Sequence, residues 1–129
     1  MAQLEIFFIK GSTYIPTVNF DPGTGILEMS GESYHEYTIE FFQPILEWLN
    51  KFLEEPNRDV VFNFKMTYFN TSSSRRFLEI FDMLEEYKKS KNGNVKVNWY
   101  YKEGDVDMLE SGEEYAEDVD IEFEFISYN

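Results

Sequence analysis

The sequence predicts a small α/β domain of α+β-like character: a mixed sheet of about five strands with two main helices and one short helix mostly on one face. Three observations carry this reading. Short segments that alternate apolar and polar residues recur along the chain, the pattern of strands with one buried and one wet face. Two longer segments repeat apolar residues at intervals of three and four, the period of an amphipathic helix. Strands covered on both faces would read as unbroken apolar runs, so the helices are expected together on one side.

The elements follow in order. Ile15 to Phe20 and Ile26 to Met29 flank Asp21-Pro22-Gly23-Thr24-Gly25, turn chemistry that predicts a hairpin. From Thr38 to Glu55 an apolar stripe of Phe42, Ile45, Leu46, Leu49, Phe52 and Leu53 predicts the first helix, with Trp48 beside the stripe as a core residue. Pro44 belongs in a first turn or at a kink, which places the start of regular helix nearer Phe42. Val60 to Phe69 alternates, with Val60, Phe62, Phe64, Met66 and Tyr68 on one side. A second helix carries Phe77, Ile80, Phe81, Leu84 and Tyr87 on its apolar face, and ends at Ser90-Lys91-Asn92-Gly93 with basic residues in its last turn. Val95 to Lys102 and Ile121 to Phe125 alternate again, and a short helix is expected between Asp105 and Asp118. No linker or repeat divides the chain, so residues 1–129 read as a single domain.

Composition bounds the function. The 129 residues include 25 acids and 11 bases, a net charge of -14, which disfavours phosphate backbones and anionic membranes as partners. Glu103 to Glu124 contains eleven acids and no Lys or Arg, leaving 14 acids against 11 bases elsewhere. The acidity is therefore regional, and its ordinary reading is a solvated face. Hydrophobic residues at 43% and aromatics at 19% provide a core. With no cysteine and one histidine, thiol chemistry is excluded and a zinc site lacks its usual ligands. No apolar run approaches a membrane span, and the chain reads as cytoplasmic.

Enzyme motifs are missing. Gly23 and Gly25 lack the third glycine of a dinucleotide motif, where Glu28 stands. Asp105 and Asp107 begin an EF-hand pattern that Leu109 and Glu110 break. Ser33 and His35 are too close in sequence for a triad to be inferred, and the surrounding Gly31-Glu32-Ser33-Tyr34-His35 lacks the second glycine of a nucleophile elbow. No active site or bound cofactor is predicted.

Asn70-Thr71-Ser72-Ser73-Ser74-Arg75-Arg76 stands out, because it joins a strand to the start of a helix. Thr71 or Asn70 can cap that helix. Four successive hydroxyl residues exceed what capping needs, and two of the three arginines follow them. Arginine near a helix N-terminus opposes the macrodipole unless an anion sits nearby. Phosphate on Thr71 would supply one, within reach of Arg75 or Arg76. Two other readings stay open: a polar cap whose arginines offset local acids, and a permanent anion site.

These residues also carry a resemblance. A strand running into a hydroxyl-rich turn that opens a helix is similar to the STAS domain of anti-sigma factor antagonists, in which the residue phosphorylated by a partner kinase lies in this turn. More closely, Tyr68-Phe69-Asn70-Thr71-Ser72-Ser73 and the Asp82-Met83-Leu84-Glu85-Glu86 segment resemble the SiaC family of bacterial regulatory phosphoproteins. Gly31-Glu32-Ser33-Tyr34, Glu36 and Leu46-Glu47-Trp48-Leu49 resemble it too. The likeness runs from about Thr13 to about Phe125 and departs at His35, where proline is expected.

The resemblance implies a partner switch in a STAS-like, SiaC-type domain. A Ser/Thr kinase of histidine-kinase-like fold phosphorylates the turn threonine, a metal-dependent Ser/Thr phosphatase removes the phosphate, and the unmodified protein binds a diguanylate cyclase or another regulated target. Such a target would connect the protein to cyclic di-GMP and biofilm formation. Carried to this chain, the acceptor is Thr71, with Ser72 and Ser73 as alternates, and Asn70, Ser72 and Ser73 shape the turn. The kinase brings ATP and magnesium, so no cofactor is expected here. The competing function is a constitutive acidic module that docks a basic partner through residues 103–124.

Overall fold

The computed structural model describes residues 4–34 and 38–129. Six strands form one sheet in sequential order: β1 (Phe7–Ile9), β2 (Thr17–Asp21), β3 (Ile26–Ser33), β4 (Asp59–Phe69), β5 (Asn94–Lys102) and β6 (Glu122–Tyr128). The first two pairings are antiparallel and the last three parallel. Each parallel step is bridged by a helix: α1 (Thr38–Phe52), α2 (Thr71–Ser90) and α3 (Val106–Asp118). Such crossovers are right-handed, and three that step in the same direction place their helices on the same face. The strand order never reverses, so the sheet lacks the switch-point crevice of a doubly wound fold.

Burial follows the predicted alternation. Val60, Phe62, Phe64 and Met66 of β4 and Val95, Val97 and Trp99 of β5 face the helices and are buried. Phe64 stacks on Trp99 at 4.1 Å between ring centroids, and Phe77 of α2 meets Phe64 edge-on at 4.8 Å. The opposite face is polar. Asn98 donates to Asn63 at 2.9 Å, Lys65 pairs with Glu28 at 3.0 Å, and Lys96 pairs with Glu124 at 2.8 Å.

The structure adds one strand to the five expected. β1 is a three-residue edge strand paired with β2. Its unbroken apolar run gives no period to read. It is held by Trp48, whose indole N–H donates to the Glu5 carbonyl at 2.8 Å and whose ring stacks on Phe52. Helix α1 also starts earlier than expected, at Thr38, which places Pro44 inside it. Pro44 and Glu40 are both exposed, so water can bond the Glu40 carbonyl that lacks its intrahelical N–H partner. Helix α3 falls where it is expected, between Asp105 and Asp118, and runs for 13 residues.

Tyr68 departs from the predicted face. The β3–β4 register shifts between Gly31 and Glu32, pairing Gly31 with Met66 but Glu32 with Tyr68. Thr67 is the extra residue of this bulge, and its hydroxyl donates to the Gly31 carbonyl at 3.1 Å. One inserted residue reverses the side-chain alternation. Phe69 therefore turns inward against Phe77 and Phe64, while Tyr68 is 50% exposed.

Candidate functional site

The bulge delivers the end of β4 into α2 without an intervening loop. Asn70 is the N-cap, in extended conformation, and its side-chain oxygen accepts from the Ser73 N–H at 2.9 Å. Of the two capping residues the sequence offered, the structure uses Asn70. Thr71 is the first helical residue, so Thr71 to Arg76 form the opening turns of α2 rather than a connecting turn. The backbone N–H groups of Thr71 and Ser72 lie where a helix provides no internal acceptors. No acidic residue occupies this first turn.

The four hydroxyl residues divide into two pairs. Ser73 is fully buried: its hydroxyl donates to the Ser33 carbonyl at 3.1 Å and lies 2.7 Å from the Ser33 hydroxyl. Asn70 N–H adds a third tie by donating to the same Ser33 carbonyl at 3.0 Å. Ser74 is bound to α3, because the Tyr115 hydroxyl donates to the Ser74 carbonyl at 2.8 Å. With that proton committed, the Ser74 hydroxyl is the donor in its own 2.8 Å bond to the Tyr115 oxygen. Burial pushes the Tyr115 hydroxyl up to about 12. Thr71 and Ser72 are exposed.

Two of the four hydroxyls thus fasten the helix start to β3 and α3. As an alternate acceptor Ser73 is inaccessible in this fold, while Ser72 is reachable. The arginines separate as well. Arg76 pairs with Glu79 at 2.9 Å, whereas Arg75 is exposed and lines a cleft with Ser74, Leu78, Glu114 and Asp118. Residues four apart share a helix face, so Arg75 stands above Thr71 and Arg76 above Ser72.

Residues 9–128 match the sequence model of the SiaC family regulatory phosphoproteins. The chain belongs to that family. A protein of Pseudomonas aeruginosa strain UCBPP-PA14, described only as uncharacterised, is 31% identical over 115 residues, 89% of this chain and 90% of that one. The apo-SiaC structure from P. aeruginosa superposes with a TM-score of 0.87 at 30% identity, covering 94% of this chain and 98% of that one. SiaC solved in complex with the diguanylate cyclase SiaD, which it activates, superposes with a TM-score of 0.89 at 30% identity, covering 95% and 99%.

In this SiaC-family chain, the sequence reading missed Ser33 and Tyr115 as supports of the site. Ser33 belongs to the Gly31-Glu32-Ser33-Tyr34 segment that carries part of the resemblance, and its role here is burial in a hydroxyl pair. His35 and Glu36, the other residues weighed in that stretch, lie outside the described residues. Tyr115 carried a legible signal, since Met108, Gly112 and Tyr115 repeat at four and three and all are buried. The acidic stretch is partly employed: Asp105 caps α3 by accepting from Met108 N–H at 3.1 Å, and Lys88 and Lys96 pair with Asp120, Glu122 and Glu124. No helix among the described residues is long and apolar enough to cross a membrane, and no group of three or more acidic or histidine side chains among them could hold a metal ion.

Proposed function

We propose that residues 1–129 form one cytoplasmic regulatory domain whose switch is phosphorylation of Thr71. The observation that carries this reading is the division of the hydroxyls: Ser73 and Ser74 are consumed by the fold, while Thr71 presents its hydroxyl at the first position of α2. A phosphate there would gain the positive end of the helix macrodipole and the N–H groups of the first turn, and would sit one turn from the Arg75 guanidinium. It would add about -1.5 to -2 charges at a point with no acid in the helix's first turn. A partner fitted to the unmodified surface would then meet charge and bulk where it had met a threonine methyl.

By analogy with SiaC and its cyclase, the unmodified form binds and activates a diguanylate cyclase, raising cyclic di-GMP and favouring biofilm formation. A Ser/Thr kinase of histidine-kinase-like fold adds the phosphate using its own ATP and magnesium, and a metal-dependent phosphatase removes it. The chain itself serves as a binding partner rather than a catalyst. Incubation with the cognate kinase followed by peptide mass mapping tests the acceptor. Phosphate on Thr71 supports the assignment, and modification confined to other residues rejects it.

A further inference from the structure

Tyr14, Tyr34 and Tyr68 form a row of edge-to-face rings at the end of the sheet where α2 begins, with centroids 5.0 and 5.5 Å apart. Tyr14 is 57% exposed and Tyr68 50%, and Tyr34 is half-buried between them. The row owes its outer member to the bulge at Thr67, which turns Tyr68 out of the core, and bulges beside functional sites re-aim side chains in this way. Only Phe69 and Asn70 separate Tyr68 from Thr71, so the two lie no more than about 10 Å apart. Beyond Thr71, one helical turn along α2, stands Arg75. It is exposed and takes part in no ion pair among the described residues, although Glu114 and Asp118 line the same cleft.

We propose that the tyrosine row, Thr71 and Arg75 form one contact surface, and that its occupant is a segment of the regulated partner carrying apolar side chains for the tyrosines and a carboxylate for Arg75. This rests on the Thr71 reading above and adds what the partner must present. Exposed tyrosine supplies large, rigid contact area, and tyrosine and arginine are enriched among the residues that dominate binding energy. The sign of the switch fixes the chemistry of the occupant. The field of a phosphate on Thr71 extends about 8–10 Å at physiological salt, which takes in Tyr68. It weakens binding only when the partner brings apolar or acidic groups there, because a basic partner would be attracted. Among the arginines, Arg58 and Arg76 are paired with Glu55 and Glu79, which leaves Arg75 to meet the acid. Glu32, paired with Tyr68 across the sheet, keeps that acid on the arginine side. Phosphorylation then works by substitution: the phosphate captures Arg75 within its own helix and displaces the partner's carboxylate.

Calorimetry of the unmodified protein against the diguanylate cyclase proposed as partner tests the surface. The double variant Tyr14→Ser, Tyr68→Ser should bind at least tenfold more weakly, and Arg75→Gln at least threefold more weakly. Phe8→Ser with Ile26→Ser, a comparable loss of exposed apolar area on β1 and at the start of β3, should change affinity less than twofold. Far-ultraviolet circular dichroism of each variant confirms the fold. A second arm needs no partner. With phosphothreonine installed at position 71 by nonsense suppression, a phosphorus NMR titration should give a lower second pKa for the phosphate in the parent than in Arg75→Gln, because a cation beside it favours the dianion. Unchanged affinity of the tyrosine variant, equal losses from both double variants, or the same phosphate pKa with and without Arg75 would overturn the proposal. The two readings fail separately. Tyrosine variants that lose binding while phosphate leaves the parent's affinity unchanged sink the switch and keep the tyrosine surface. A phosphate effect with unchanged affinity of the tyrosine variant sinks the surface alone, and absence of any binding to the cyclase overturns both.

Discussion

The hydroxyl oxygens of Ser33 and Ser73 lie 2.7 Å apart inside the protein, although forty residues separate them in sequence. Ser73 gives its proton to the Ser33 carbonyl, so the Ser33 hydroxyl donates to Ser73. The same reciprocal pattern joins Ser74 to Tyr115 on the other side of the helix. Helix α2 is thereby fixed at its first turn to both neighbours, and Thr71 is presented from a rigid support.

Removing one member of the buried pair strands the other's polar atoms. Ser73→Ala is expected to cost about 1–3 kcal/mol, the penalty for an unsatisfied buried group. The Ser33→Ala, Ser73→Ala double variant should cost less than the sum of the single ones, because neither partner is then left alone. Urea unfolding of the four proteins measures the coupling, and strict additivity would contradict the reciprocal bonding.

Asn70 offers a second handle on the same turn. Asn70→Ala removes the acceptor for the Ser73 N–H and should destabilise the protein by about 1 kcal/mol. Asn70→Asp keeps the acceptor and adds negative charge at the helix start, so its stability should match or exceed that of the parent. Thermal unfolding distinguishes the two, and equal losses in both would count against the cap.

Tyr115 predicts a pH dependence. Its hydroxyl is held neutral up to about 12 in the fold, against about 10 in an unfolded chain. Between those values the unfolded state has released a proton that the folded state keeps. The stabilisation is complete below about pH 10 and disappears as the pH rises through about 12. From pH 9 to pH 11 this group should account for a loss of about 1.4 kcal/mol. Tyr115→Phe should abolish that part of the slope while lowering stability at neutral pH, as read from denaturant midpoints across the range.

Gly112 sets the approach of α3 to the sheet. A Cβ there would fall 2.6 Å from the Trp99 indole, whose N–H donates to the Met108 carbonyl at 3.0 Å. Gly112→Ala should therefore destabilise by about 1–3 kcal/mol, although alanine favours a helix by about 1 kcal/mol. A stabilised variant in urea unfolding would refute this packing.

Period and punctuation made much of the architecture legible. The alternation in β4 and β5 foretold one polar sheet face, and the residues from Phe77 to Tyr87 foretold the apolar face of α2. What escaped reading had local causes. β1 is too short to show a period and depends on Trp48, forty-three residues from Glu5. Alternation alone puts Tyr68 on the buried face, because a bulge at Thr67 is invisible in one strand's sequence and exists only in its pairing with Gly31. The hydroxyl run at 71–74 stands out by composition. Its division into buried and exposed members depends on Ser33 and Tyr115, which only the fold brings near.

Calorimetry probes the proposed switch at Thr71 at its point of action, the binding of a partner. Unmodified protein and protein phosphorylated at Thr71 are titrated separately into the proposed partner, a diguanylate cyclase. The unmodified form should bind tightly and the phosphorylated form at least tenfold more weakly, with Thr71→Ala behaving as unmodified. Equal affinities of the phosphorylated and unmodified forms would contradict it.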